Sequence, residues 1–188
     1  MGGNNDLSGT LPTELGLLET LSALSLQETS IFGSIPSEIG MLKKLQILEL
    51  QNTKLGGTLP IELYDGITDL FTFFLQDSNF SGTISSQIRN WAMMEYFSIA
   101  NNNFHGELPD IPIWSNLVVF QVNGNPNLTG SLPASLCHGY QSFFYSEICI
   151  VADCPVSTNS SNRLVCEDDC CTECCDSASC GCIPFEKI

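Results

Sequence analysis

Ten cysteines are the residues of this chain whose type and spacing could support the most chemistry. All of them lie after residue 136, and the stretch "CEDDCCTECC" at 166–175 places five among four acidic residues. Thiols this close together can form disulfides, hold a metal ion or act as a redox centre. The ten are Cys137, Cys149, Cys154, Cys166, Cys170, Cys171, Cys174, Cys175, Cys180 and Cys182.

Structural disulfides are the interpretation that we favour for these cysteines. Zinc sites use paired C-x-x-C motifs, and Cys171 and Cys174 have that separation. The only histidines are His105 and His138, however, and the neighbouring carboxylates are hard ligands suited to other ions. A segment of about 50 residues cannot bury a sufficient core, and in oxidising compartments disulfides compensate. A metal cluster and redox-active thiols are the alternatives, and no pairing is assigned.

No other set of residues predicts an active site. A catalytic triad needs a nucleophile, a base and an orienting group that meet in space, and neither histidine offers that arrangement. Phosphate-binding and kinase signatures are missing from the sequence. We therefore expect a protein that is not an enzyme and that holds no cofactor or metal.

The charge of the chain excludes several classes of partner. Its 188 residues carry 21 acidic and 6 basic side chains, a formal net charge of −15. Such a protein is repelled by nucleic acid and by anionic membrane surfaces. No apolar run is long enough to span a bilayer. The opening "MGGNNDLSGT" lacks the features of a signal peptide.

The chain contains a repeat of about 24 residues, which must position its functional residues. Its glycines are spaced 24, 24, 25, 24 and 24 residues apart, and most are followed three positions later by proline. Serine replaces that proline at Ser85. The glycines are Gly9, Gly33, Gly57, Gly82, Gly106 and Gly130. Such regularity predicts a stack of similar coils that share one core.

Each unit follows the pattern L-x-x-L-x-x-L-x-L-x-x-N/T/S-x-L/F-x-G-x-I/L-P, as in "LKKLQILELQNTKLGGTLP" at 42–60. The alternating L-x-L core is typical of a strand with its leucines inward, so adjacent coils should pair these strands in parallel. We expect a sheet of about five strands, with irregular or short helical segments opposite. Neighbouring inward residues are expected at Leu24, Leu48, Leu75, Ile99 and Val122.

This pattern resembles the plant-type extracellular leucine-rich repeat, with its 24-residue unit and L-x-G-x-I-P ending. The resemblance implies an α/β repeat fold, a right-handed solenoid with a parallel β-sheet on its concave face. Residues 1–136 would form five full units and one truncated N-terminal unit. Residues 137–188 would form a small disulfide-rich C-terminal cap, whose cysteine pattern is similar to tails of diatom leucine-rich-repeat proteins.

One departure from the family pattern concerns the turn after each strand. The family has asparagine there, but this chain has Thr29, Thr53 and Ser78 before Asn102 and Asn125. A hydroxyl reaches less far than an amide. We expect the hydrogen-bonded ladder of turns to persist, with looser turns in the first three coils.

The outward strand positions form three columns on the predicted concave face, where repeat proteins usually bind. The second and third columns pair aromatic, acidic and amide side chains, which is typical of recognition surfaces. An amide ladder that merely solvates the sheet is the alternative. The candidate ligand-binding residues are Glu49, Phe74, Gln76, Asp77, Glu95, Tyr96, Ser98 and Gln121.

An extracellular recognition module is the predicted function: the ligand-binding region of a receptor-like or secreted protein. Three N-x-S/T sequons, at Asn79, Asn127 and Asn159, favour secretion and glycosylation, although this chain carries no signal peptide. The expected ligand is a protein, peptide or glycan, and a cationic one given the charge. A structural or adhesive cell-surface or cell-wall protein is the first alternative, and an intracellular scaffold is the second.

Overall fold

The structure, a computed structural model, describes residues 4–111, 114–132, 149–153, 164–165 and 173–175. In the last three of these ranges the backbone alone is described, and the side chains are not. The account that follows refers to these residues.

The L-x-L segments form the first of two parallel sheets. Its seven strands within the described ranges lie side by side in chain order, and every neighbouring pair is parallel. This confirms the predicted repeat fold with a parallel sheet. The strands are β2 (Ala23–Ser25), β4 (Ile47–Glu49), β6 (Thr72–Phe74), β8 (Tyr96–Ser98), β10 (Val119–Gln121), β12 (Cys149–Asp153) and β14 (Glu173–Cys175).

A second parallel sheet follows the turn of each coil, and it was not predicted from the sequence. It also has seven strands in the described ranges, one from each successive coil. The five strands expected from the repeats are all present in the first sheet, which two further strands extend. The strands are β1 (Ser8–Gly9), β3 (Ser30–Gly33), β5 (Lys54–Thr58), β7 (Asn79–Gly82), β9 (Asn103–Glu107), β11 (Asn127–Ser131) and β13 (Leu164–Val165).

The two sheets differ in register. In the first sheet, Ala23 pairs with Ile47, 24 positions later, so equivalent residues of successive coils face each other. In the second sheet, Phe32 pairs with Lys54, only 22 positions later. Each strand of the second sheet is thus offset by two residues against its neighbour. An even offset keeps the same side chains inward, because alternate residues of a strand share a face.

Within the described residues, short helical segments lie on the far side of four coils, as expected. They comprise one α-helix, α1 (Ile61–Gly66), and three 3₁₀ turns at Thr13–Leu17, Ser37–Met41 and Ser86–Asn90. A proline precedes each of the first three segments in extended conformation, as Pro36 does with φ of −72°. At the irregular fourth place, the Ser85 side chain accepts a hydrogen bond from the Gln87 backbone N–H instead. Serine therefore replaces proline with a side-chain cap.

The core lies between the two sheets and the helical segments, and it is continuous along the stack. The five residues expected to neighbour one another inside all face inward, but they belong to two adjacent columns. An L-x-L strand has two inward positions, and the five residues mix them. One column is Leu24, Leu48, Phe73, Phe97 and Phe120. The other is Leu26, Leu50, Leu75, Ile99 and Val122.

Aromatic rings replace leucines in the later coils. Phe97 stacks against Phe73 and Phe120 with ring centroids 5.6 and 5.3 Å apart. Tyr64 stacks on Trp91 at 4.9 Å. Rings at these separations add stabilisation beyond the area that they bury. The first inward column therefore changes from leucine to phenylalanine along the chain, while the second stays aliphatic.

The turn ladder persists, and its chemistry changes as expected. The Asn102 amide donates to the Leu75, Ile99 and Ala100 carbonyls, so it links its own coil to the preceding one. The hydroxyls of Thr29 and Thr53 donate to carbonyls of their own coils, at Leu26 and Leu50. The Ser78 hydroxyl does reach the preceding coil, through the Thr53 N–H and hydroxyl and the Leu50 carbonyl, but at 3.3–3.4 Å. The early turns are therefore joined by longer hydrogen bonds than the 2.8–3.0 Å bonds with which Asn102 and Asn125 reach the preceding coil.

Both sheets continue beyond the last recognisable repeat. In the first sheet β12 pairs with β10 and β14 pairs with β12, and in the second sheet β13 pairs with β11. The segment that carries the cysteines thus adds strands to both sheets. The domain boundary at 136/137 remains a prediction.

Candidate functional site

The outward residues of the first sheet form the surface that we call the first-sheet face. The observed register reproduces the predicted columns, since successive members are directly paired. The first column is Ala23, Ile47, Thr72, Tyr96 and Val119, and the second is Ser25, Glu49, Phe74, Ser98 and Gln121. The third, continued by backbone hydrogen bonds, is Gln27, Gln51, Gln76, Ala100 and Asn123.

The middle of the second column is more buried than we expected of a binding surface. Phe74 is only 5% exposed, and Ser98 is 0% exposed. Ser98 lies between the larger side chains of Phe74 and Gln121, and its hydroxyl donates to Gln121 Oε1 at 3.0 Å. These three residues form a packed floor, which Glu49 and Tyr96 border as half-buried side chains.

The third column contains the amide ladder that was considered as an alternative to binding. Gln51 Nε2 donates to Gln27 Oε1, and the Gln51 side chain is 8% exposed. Gln51 Oε1 and Gln76 Oε1 are buried and accept no hydrogen bond from the described residues. A buried acceptor without a hydrogen-bond donor costs free energy, so a hydrogen bond from an N–H group to either oxygen would be stabilising.

A further column forms the edge of the first-sheet face. Glu28, Asn52, Asp77 and Asn101 all adopt left-handed backbone conformations, with φ between 54° and 56°. Asparagine and aspartate tolerate this region best among non-glycine residues. Asn101 Nδ2 donates to Asp77 Oδ1 at 2.8 Å, which fixes the carboxylate at the edge. The left-handed backbone of this column was not predicted, although the Asn and Asp residues in the sequence could have indicated it.

The first-sheet face is acidic. Its columns and edge contain Glu28, Glu49 and Asp77, and the half-buried Glu95 immediately precedes β8. No lysine or arginine occurs in the columns or the edge between Ala23 and Gly124. Carboxylates that share one surface attract cations from a distance because their fields add.

The predicted site residues thus fall into a floor, a border and an edge of one surface. Phe74, Ser98 and Gln121 are the floor, and Glu49, Glu95 and Tyr96 border it. The remaining two, Gln76 and Asp77, lie in the third column and at the edge.

The predicted glycosylation sites can be placed in part. Asn79 and Asn127 are exposed, each at the first position of a second-sheet strand, β7 and β11. Asn159 lies outside the described residues.

The predicted disulfides are not tested by the described residues. Cys149, Cys174 and Cys175 fall in the described backbone of β12 and β14. The other seven cysteines lie outside the described residues.

The described part of the chain offers little for catalysis or metal binding. His105 is an exposed residue of β9, and His138 lies outside the described ranges. Within those ranges no group of three or more His, Cys, Asp or Glu side chains could hold a metal ion. In the same ranges, no helix has the length and apolar character needed to cross a membrane.

Comparison with solved structures identifies the class of fold. The ectodomain of the receptor kinase SOBIR1 from Arabidopsis thaliana is 26% identical with a TM-score of 0.61, and the match covers 68% of this chain and 69% of that one. The plant peptide hormone receptor RGFR1, in complex with RGF2, is 27% identical with a TM-score of 0.58 over 68% of this chain and 24% of that one. A plant ice-binding protein is 29% identical with a TM-score of 0.62 over 73% and 44%.

The fold is therefore that of the leucine-rich repeat, and it matches plant extracellular ectodomains with strands in two parallel sheets. No protein-family model matches the chain, and no curated protein matches it by sequence. The chain spans less than half the length of the hormone receptor and of the ice-binding protein. The resemblance of the cysteine-rich segment to diatom proteins stays a prediction.

Proposed function

We propose that this chain is an extracellular recognition module that binds a protein, peptide or glycan ligand on its first-sheet face. The observation that carries the proposal is the arrangement of that face, where a packed floor of Phe74, Ser98 and Gln121 is bordered by Tyr96 and by carboxylates. A rigid floor holds its contact groups in place, so little conformational entropy is lost on binding. The likeness to extracellular plant ectodomains supports the location.

A cationic ligand fits this surface best. Glu49, Asp77 and Glu95 lie on it or at its edge, and the whole chain has a formal charge of −15. Lysine and arginine side chains offer several N–H donors and no acceptor, so they match the carboxylates of this surface. The hormone receptor complex with a similar structure supports a peptide as one form of such a ligand.

The aromatic contact should affect the dissociation rate of the ligand, and the charges should affect its association rate. Tyr96 is half-buried and can contribute contact area once water is expelled. Tyr96→Ala should therefore raise the off-rate, which corresponds to a loss of about 1–3 kcal/mol in binding free energy if Tyr96 is a hot spot. Glu49→Gln with Asp77→Asn should mainly slow association, because carboxylates steer a basic ligand before contact. Steering should weaken as salt shortens the Debye length from about 30 Å at 0.01 M to about 8 Å at 0.15 M.

Surface plasmon resonance tests the proposal on a partner captured from native extracellular extract. Wild-type protein is compared with Tyr96→Ala and with the Glu49→Gln/Asp77→Asn double variant. Glu62→Gln in α1 is the matched control, since it removes an exposed carboxylate far from the first sheet. If the first-sheet variants bind like wild type while Glu62→Gln or Glu38→Lys does not, the binding surface lies elsewhere and the proposal is wrong.

A structural or adhesive surface protein is the second candidate, favoured by one feature of the second sheet. Hydroxyl side chains follow the glycine of each of the first four coils, and all four are exposed: Thr10, Ser34, Thr58 and Thr83. The similar plant ice-binding protein makes an ordered water surface a possible target of such a column. Thermal hysteresis that disappears in Thr58→Lys but persists in Tyr96→Ala would favour this candidate.

A further inference from the structure

We propose that the second sheet is a glycan-bearing face, with N-linked glycans on Asn79 and Asn127. The inference rests on the extracellular location given under the proposed function. Asparagine is modified in the secretory pathway where it begins an N-x-S/T triplet, and "NFS" at 79–81 and "NLT" at 127–129 are such triplets.

The two asparagines occupy the same place in the fold. Each is the first residue of its strand, in β7 and β11, two coils apart. At a strand spacing of about 4.8 Å, the strands β7 and β11 lie roughly 10 Å apart. Burial alternates in both triplets, since Phe80 is 0% and Leu128 3% exposed while both asparagines are exposed. Both triplets therefore present their asparagine outward.

Asn79 and Asn127 differ in their hydrogen bonding from the asparagines of the turn ladder. Asn102 and Asn125 are buried, and each donates to three carbonyls and accepts from a backbone N–H. Within the described residues, the Asn79 and Asn127 amides take part in no side-chain hydrogen bond. Their Nδ2 atoms are thus free to react, and modification breaks no contact of the turn ladder.

The neighbouring strand supports each site from one side. Asn79 packs closely over the buried Gly56, where a Cβ would lie 2.9 Å from the Asn79 Cβ, and Asn127 pairs with the exposed His105. Because both asparagine side chains are themselves exposed, a sugar attached at either position extends into solvent. Two glycans on the second sheet would cover its outward face and leave the first-sheet face open to a ligand.

The transfer balances with a lipid-pyrophosphate-linked oligosaccharide as the co-reactant. A bond forms between asparagine Nδ2 and the anomeric carbon of the sugar, and the bond between that carbon and the pyrophosphate breaks. The amide nitrogen loses a proton, and the lipid pyrophosphate leaves. No oxidant or reductant is needed.

Glycopeptide mass spectrometry tests the inference on the full chain, directed into the endoplasmic reticulum of a eukaryotic host by an added signal sequence. All protein that has entered the compartment is analysed, because the transfer precedes export. Asn79→Gln and Ser81→Ala should each abolish glycosylation at Asn79. Ser81→Ala does so while the asparagine itself is retained. His105→Thr provides a matched gain of function, since it completes a triplet that begins at the exposed Asn103, the equivalent position of β9.

The expected result is occupancy at Asn79 and Asn127 in the wild-type chain, and at Asn103 as well in His105→Thr. Enzymatic removal of the glycans should leave affinity for a first-sheet ligand unchanged within twofold. The inference is overturned if Asn79 or Asn127 is unmodified in protein that carries a glycan at Asn159. It is also overturned if the protein carries no glycan at any asparagine. Ligand binding is measured separately, so failure of the proposed function would appear in the Tyr96 and Glu49/Asp77 variants and not in the glycan map.

Discussion

At the scale of single residues, the turn after each first-sheet strand determines how tightly neighbouring coils are joined. Asn102 makes four hydrogen bonds, and those to Leu75 and Phe80 join it to the preceding coil. Thr53 occupies the same place with a shorter side chain, and its hydroxyl donates to the Leu50 carbonyl of its own coil. The Ser78 hydroxyl also bridges two coils, but its bonds to Thr53 and Leu50 are 3.3–3.4 Å long, whereas those of the longer amide to Phe80 and Leu75 are 2.8–2.9 Å.

Replacing Asn102 should therefore destabilise the protein far more than replacing the residue beside it. Asn102→Ala removes the hydrogen-bond partner of the Leu75 carbonyl and of the Phe80 N–H, while the Ile99 and Ala100 carbonyls keep other donors. Each buried group left without a partner costs about 1–3 kcal/mol. We expect a loss of roughly 2–4 kcal/mol in the free energy of unfolding. Asn103→Ala, at an exposed position, should change it by no more than about 0.5 kcal/mol. Urea unfolding followed by circular dichroism measures both, and equal losses would contradict the ladder.

Tyr64 gives the protein a dependence on alkaline pH. Burial raises the pKa of its phenol above the usual value of about 10. A raised pKa in the folded state means that the stabilisation is complete below about pH 10 and is lost as the pH rises towards the folded value. Wild-type stability should thus fall more steeply than that of Tyr64→Phe between about pH 9 and pH 11. Parallel slopes in urea unfolding at these pH values would show that Tyr64 is not responsible.

Several features of the candidate site could be predicted from residue spacing, and others could not. The columns of Tyr96 and Glu49 follow from the strict repeat, because side chains alternate along a strand. The burial of Ser98 could not be predicted, since it depends on the sizes of Phe74 and Gln121 on adjacent strands. The asparagine at Asn101 was visible, but its left-handed backbone follows from the turn that it must make.

At the scale of elements, the second sheet was missed for a physical reason. Its strands span an x-L/F-x-G segment of two to five residues, too short to show a clear alternation before the glycine. The glycine itself has positive φ, as at Gly82 with 87°, which is not typical of a strand residue. A Cβ at Gly82 would lie 2.8 Å from the Thr58 methyl group of the preceding coil. Backbone conformation therefore favours glycine throughout the repeat, and close packing adds a second reason at Gly82.

The helical segments of adjacent coils pack through glycine, and this contact can be tested. A Cβ placed on Gly40 would lie 2.3 Å from the Glu62 carbonyl oxygen in α1. Gly40→Ala should overpack this contact and lower the free energy of unfolding by about 1–3 kcal/mol. Ser37→Ala, in the same 3₁₀ turn but exposed, serves as the control, with an expected change within about 0.5 kcal/mol. Thermal unfolding of the two variants decides, and an unchanged midpoint for Gly40→Ala would refute the close contact.

At the scale of the whole molecule, both sheets continue into the cysteine-rich segment. β12 and β14 extend the first sheet beyond β10, and we expect the predicted disulfides to stabilise this end of the stack. Disulfides stabilise a short segment by restricting its unfolded states.

The oxidation state of the cysteines can be measured directly. Five disulfides would consume all ten thiols, each removing two hydrogens, so the intact mass of secreted protein should be lower by ten hydrogens than that of the reduced chain. Titration without reductant should find no free thiol. Stoichiometric zinc, together with titratable thiols after chelation, would support a metal cluster instead.

The central claim is that the first-sheet face is the recognition surface, and carboxyl footprinting with a water-soluble carbodiimide tests it most directly. The captured partner is added at saturating concentration, and labelling of each carboxylate is compared with that in the free protein by peptide mass spectrometry. The account predicts that labelling of Glu49, Asp77 and Glu95 falls on binding, while labelling of Glu62 and Asp65 in α1 is unchanged. Protection of Glu62 and Asp65 with unchanged labelling at Glu49, Asp77 and Glu95 would contradict it.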